Sequence, residues 1–194
     1  MNLRISRIIK DSTIDGPGKR FVIFTQGCYH NCPGCNNSQT HDPTGGKNID
    51  TDEILKQIEE VSNDINGITF SGGEPFNQAE ALAELGRKIK NKYENLDIIT
   101  YTGYTFEEIN EEIQSGSLTL DWLRLLTVTD YLIDGPYDSD KQSDECKYRG
   151  STNQRYIDCQ KSTKSQIPIE VEEYKYIEPK ENNDLSDLTE EKST

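Results

Sequence analysis

Three cysteines crowd into one short stretch of this 194-residue chain, Gly27-Cys28-Tyr29-His30-Asn31-Cys32-Pro33-Gly34-Cys35, a C-x3-C-x2-C spacing. Thiols so close together are poorly spaced for a disulfide framework and suit a metal or a cluster instead. Iron in a cubane cluster is held by thiolates, a complete set being four. Three in one loop would hold three irons and leave the fourth with an open position, much as a catalytic zinc keeps one free site. Pro33 and Gly34 supply the turn that brings Cys32 and Cys35 round the same centre. A structural zinc site completed by His30 or His41 is the competing reading, though His30 falls awkwardly between two ligands. Cys146 and Cys159 stand in a hydrophilic region and read as free surface thiols.

These residues need elements to hold them. Phe21 to Phe24 reads as a buried strand, with Leu3 to Ile9 as its partner, and the cysteines follow directly. Ile68-Thr69-Phe70 is a second strand, running into Ser71-Gly72-Gly73-Glu74-Pro75. Glycines in such a turn let a ligand approach the backbone, because no Cβ stands in the way. Leu96 to Tyr101 and Tyr131 to Ile133 are further strands, followed by Thr102-Gly103-Tyr104 and Asp134-Gly135-Pro136. Between them, helical spacing appears at Ile54, Leu55, Ile58 and Val61, at Leu82, Leu85 and Ile89, and from Leu120 to Leu126. Asp50 with Glu53, and Thr105 with Glu108, are placed as helix caps with reciprocal partners. This alternation predicts an α/β fold with a mostly parallel sheet, built as a partial (open) β/α barrel. A complete eight-fold barrel needs about 250 residues. The turns that follow parallel strands share one edge, which is where sites of such folds form.

Composition excludes several functions. The formal net charge is −14, the wrong sign for neutralising phosphates or for an anionic membrane surface. No run is long and apolar enough to span a membrane, and the start lacks an apolar leader. The expectation is a cytoplasmic protein with no nucleic acid and no membrane among its partners. Glu170 to Thr194 holds nine acidic and three basic residues. The organisation expected is a catalytic domain over 1–160, a C-terminal extension over 161–178 with an edge strand from Ile167 to Ile177, and an acidic, disordered tail over 179–194.

The cysteine loop after an early strand, together with Ser71 to Pro75 after the next, resembles the radical S-adenosylmethionine superfamily. The finer resemblance is to the activating enzymes of anaerobic (class III) ribonucleotide reductase. It runs through Asp15-Gly16-Pro17-Gly18-Lys19-Arg20, Gly27 to Asn36, Ser71 to Pro75, Tyr101 to Tyr104, Asp134-Gly135-Pro136 and Arg149-Gly150-Ser151-Thr152-Asn153-Gln154-Arg155. The resemblance implies a [4Fe-4S] cluster on Cys28, Cys32 and Cys35. It also implies S-adenosylmethionine bordered by Gly34, Cys35, Asn36 and Gly73. The reaction implied is formation of a glycyl radical on the large reductase subunit, with a one-electron donor such as a flavodoxin. Glu74 either shapes its loop or holds the methionine amine, and Arg149 and Arg155 either meet the partner or anchor a polar turn. Two rival readings are a small-molecule radical enzyme, 7-carboxy-7-deazaguanine synthase-like, and a zinc-bound interaction module.

Overall fold

A computed structural model describes residues 1–116 and 119–177. The acidic tail expected over 179–194 lies outside the described residues. Seven strands form one sheet: β1 (Asn2–Ser12), β2 (Arg20–Thr25), β3 (Lys47–Asp50), β4 (Gly67–Gly72), β5 (Asp97–Tyr101), β6 (Tyr131–Asp134) and β7 (Arg155–Asp158), in the order β3-β1-β2-β4-β5-β6-β7. Pairing is parallel through β2, β4, β5 and β6, and antiparallel at β1–β2, β1–β3 and β6–β7. The expected parallel block is therefore present, flanked by antiparallel strands on both sides. Strands β3 and β7 are the outermost of this open sheet.

Five helices are α1 (Thr51–Val61), α2 (Ala79–Lys92), α3 (Phe106–Ser115), α4 (Thr119–Val128) and α5 (Cys159–Ser165). All five feed one core. Ile54, Leu85, Ile109, Leu125 and Cys159 join Phe21, Ile23, Ile68, Phe70, Ile98 and Leu132 in a single buried cluster. Strand side chains alternate between faces, so their neighbours Ile99, Ile133 and Tyr156 form a separate, smaller cluster on the other face. That second cluster contains no residue of α1 to α5. Among the described residues the α-helices thus pack on one face of the sheet. Among the described residues no helix is long and apolar enough to cross a membrane.

The capping box at α3 forms in full, Thr105 and Glu108 each bonding to the other's backbone N–H. At α1 the Asp50 carboxylate caps by accepting from Asp52 N–H at 2.8 Å. Helix α5 was not expected, since its seven residues CQKSTKS show no apolar period.

Two expectations are corrected. The edge strand over Ile167 to Ile177 does not form. The segment makes an isolated antiparallel bridge at Glu170 beside Ile157, then a single 3-10 turn over Glu172–Tyr174. Pro168 has no N–H to donate to a ladder, and the turn delivers Tyr174 onto Tyr156, with ring centroids 4.5 Å apart. Nor are Cys146 and Cys159 surface thiols, for they are 6% and 0% exposed. Cys159 opens α5 facing the core, its Sγ 3.5 Å from the Leu126 carbonyl, while its hydrophilic neighbours face water. Burial pushes that thiol up to about 12.

Candidate functional site

Because β2, β4, β5 and β6 are parallel, the loops after them meet at one edge of the sheet, as expected. The cysteine loop leaves β2 at Thr25 and is tied down at its start: Gly27 N–H donates to the Thr40 carbonyl at 2.8 Å and Cys28 N–H to His41 at 3.1 Å. Cys35 N–H then donates to the Cys32 carbonyl at 3.2 Å, with Gly34 at φ 73° between them. Pro33 and Gly34 therefore occupy the centre of a type II turn, which requires positive φ at its third residue. Cys28, Cys32 and Cys35 are all free thiols and partly exposed. Burial is the main influence raising the Cys28 pKa, with the Glu74 charge adding to it. Among the described residues no three His, Cys, Asp or Glu side chains are arranged to hold a metal ion.

The turn after β4 packs directly onto this loop. Gly73 N–H donates to the Thr25 carbonyl at 2.9 Å, and Glu74 N–H to the Gly27 carbonyl at 2.8 Å. A Cβ on Gly73 would overlap the Gly27 carbonyl, and one on Gly72 would overlap Phe24 backbone. These glycines have a reason to be glycine that is independent of any ligand.

Glu74 was open to two roles, and its contacts favour shaping the loop. The side chain is 1% exposed. One oxygen accepts from Phe76 N–H at 3.0 Å and from Thr102 Oγ1 at 2.9 Å. The other accepts from Gly103 N–H at 2.9 Å and sits 2.9 Å from His30 Nε2. His30, taken from the sequence only as a doubtful zinc ligand, is thereby committed to Glu74, a bond that raises its pKa. It also stacks edge-on against Tyr104 at 4.4 Å. A histidine midway between two cysteines, with an acidic residue in the neighbouring turn, is the signal that could have revealed this pair.

A cavity of about 530 Å³ opens beside the loop, on the helix-free face. Arg7, Phe24, Asn36, Ser71, Tyr101 and Arg149 are among its walls. Asn36 thus borders a ligand-sized space, whereas Gly34, Cys35 and Gly73 lie outside this lining; Gly34 packs toward Ser139 and Tyr137 instead. Arg155 anchors structure, bonding Asp134 at 3.0 and 2.5 Å and Glu107 at 3.0 and 2.6 Å. Arg149 sits in the turn before it, where Gln154 Oε1 accepts from Gly150 N–H at 2.9 Å and from Ser151 N–H at 3.2 Å.

Comparison with known proteins identifies the family. Residues 14–157 match the model of a 4Fe-4S single cluster domain. The chain is 31% identical over 156 residues to the anaerobic ribonucleoside-triphosphate reductase-activating protein of Enterobacteria phage T4, covering 79% of this chain and 92% of that one. It is 30% identical over 146 residues to the protein of the same description from Vibrio cholerae, covering 73% and 88%. Among solved structures, QueE from Escherichia coli aligns over 54% of each chain with a TM-score of 0.44 and 17% identity, too slight a likeness to bear on the fold.

Proposed function

This chain belongs to the family of anaerobic ribonucleoside-triphosphate reductase-activating proteins, and on that premise we propose that it generates a glycyl radical on the large subunit of that reductase. The carrying observation is the seating of three free thiols on the open edge of the parallel strands, against the glycine turn after β4. The donor set fits the implied cofactor, since thiolates are the ligands of iron–sulfur clusters and three leave one iron open.

Cys28, Cys32 and Cys35 would hold the [4Fe-4S] cluster. When bound, that group would supply the electron that breaks the sulfur–C5′ bond of S-adenosylmethionine, giving methionine and an adenosyl fragment able to take a hydrogen atom from the target glycine. The protein's own work is positioning and exclusion of water. The turn at Pro33 and Gly34 presents two of the thiols together, Glu74 fixes the loop to its neighbours, and Asn36 borders the cavity beside it. The sulfonium cofactor is assigned to that cavity, which Asn36 lines, with Gly34, Cys35 and Gly73 in the loop and turn that flank it. The open sheet with helices on one face supports reading the fold as a partial barrel whose bare face receives a macromolecular substrate. A catalytic domain over 1–160, a cytoplasmic setting, a flavodoxin-type donor, and no nucleic acid or membrane partner complete the proposal; the net charge of −14 supports the last two.

The test mixes the reconstituted protein anaerobically with its cognate large subunit, S-adenosylmethionine and a reductant. A doublet glycyl-radical signal should appear in electron paramagnetic resonance and vanish when the target glycine is changed to Ala. Vigorous cofactor cleavage with no radical on the reductase would sink the assignment.

A further inference from the structure

One buried guanidinium in the cavity has no counter-charge. Arg149 is 8% exposed. Its Nη1 donates to the Gln154 carbonyl at 3.1 Å, its Nε is buried without a hydrogen bond, and among the described residues it makes no ion pair. Gln154 closes the surrounding turn with its own amide, which also donates to the Gly135 carbonyl at 3.0 Å. The turn therefore does not explain the charge. A second guanidinium, that of Arg7, lines the same cavity. It lies 3.7 Å over the Phe24 ring and donates to Asn37 Oδ1 at 3.1 Å, again with no carboxylate. The one acid in the lining, Asp15, accepts from Ser12 Oγ at 2.5 Å.

Buried charge is costly unless paired, and buried polar groups left unsatisfied mark places where something else completes them. What completes this one must be an anion small enough for about 530 Å³, a volume ordinary for small-molecule sites. Arginine's planar fork suits a carboxylate. The remaining walls include the flat rings of Tyr101, Tyr137 and Tyr148, apt for a purine. S-adenosylmethionine joins one carboxylate to one purine. We propose that Arg149, assisted by Arg7, binds the carboxylate of S-adenosylmethionine and so sets the position of the whole molecule beside the cysteine loop. This rests on the reading that S-adenosylmethionine occupies the cavity.

The test titrates anaerobically reconstituted holoenzyme by calorimetry with S-adenosylmethionine and with its decarboxylated analogue, which lacks only that carboxylate. Wild type should prefer the former. Arg149→Gln should weaken S-adenosylmethionine about tenfold, as expected for loss of a hydrogen bond to a charged group. The analogue's affinity and the iron per chain should stay as in wild type. Arg7→Gln should show the same pattern with a smaller loss, and keeps the test alive if Arg149→Gln does not fold. An undiminished preference for the carboxylate in the variants, with iron retained, overturns the proposal alone. Wild-type holoenzyme that binds neither compound overturns the occupancy reading and this proposal with it.

Discussion

Arg20 and Arg149 are both buried arginines, and they have been treated in opposite ways. Arg20 is 0% exposed at the start of β2, where it pairs with Asp97, donates to the Ile68 carbonyl at 2.6 Å and to Thr69 Oγ1 at 3.1 Å. It ties the N-terminal ends of β2, β4 and β5 together. The Arg149 guanidinium, near the opposite ends of those strands, has among the described residues one hydrogen bond and no acid. Burial alone does not separate scaffold from site. Satisfaction does: a matched guanidinium locks strands, and an unmatched one waits for its ligand.

Breaking the matched arginine should have the largest effect. Arg20→Leu leaves Asp97, Thr69 and a carbonyl without their partner. Removing one member of a buried pair costs up to several kcal/mol, so a loss of about 3 kcal/mol is expected in urea unfolding. Asp97 keeps 39% of its side chain in solvent, which holds the value at the lower end. Arg149→Gln in the same assay should lose under about 1 kcal/mol, since little in the fold depends on its charge. If the two variants melt alike, the contrast is wrong.

Next in size is the contact between turn and loop. Gly73→Val drives a side chain into the Gly27 backbone, and overpacking of this kind costs about 1–3 kcal/mol. The obstacle is backbone that carries Cys28, so iron per chain after reconstitution should fall as well. Retention of full iron with only S-adenosylmethionine affinity reduced would instead favour a direct ligand contact at Gly73.

The smallest effect is expected at Cys159. Its pKa is pushed up to about 12 by burial, so at neutral pH it stays a thiol, and the thiolate is the reactive form. Iodoacetamide should label the loop cysteines of the cluster-free protein in minutes and leave Cys159 unmodified until denaturant is added. Early labelling of Cys159, read by peptide mass, would place it outside the core.

Much of this was legible in the sequence because the signals were local. Thr105 and Glu108 sit at the fixed spacing of a capping box, and Phe21 to Phe24 and Ile68 to Phe70 are short apolar runs ahead of turn residues. What escaped depends on contacts between distant segments. Strand β7 is framed by polar residues, and only its pairing with β6 makes Tyr156 and Ile157 buried. Asp97 reveals nothing of Arg20 until the sheet brings them together. The cysteines announced themselves, while Arg149 could not, since the mark of its role is a missing neighbour.

The packing of Gly72 and Gly73 on Phe24 and Gly27 has one more consequence. Obstacles made of side chains can be relieved by a second substitution that trims them, but here the obstacle on both sides is main chain, which no substitution can trim. Over generations of sequence drift, the cysteine loop and the glycine turn are therefore locked as one module, though they lie far apart along the chain. Transplanting the cysteines alone into another protein would move half of an indivisible piece.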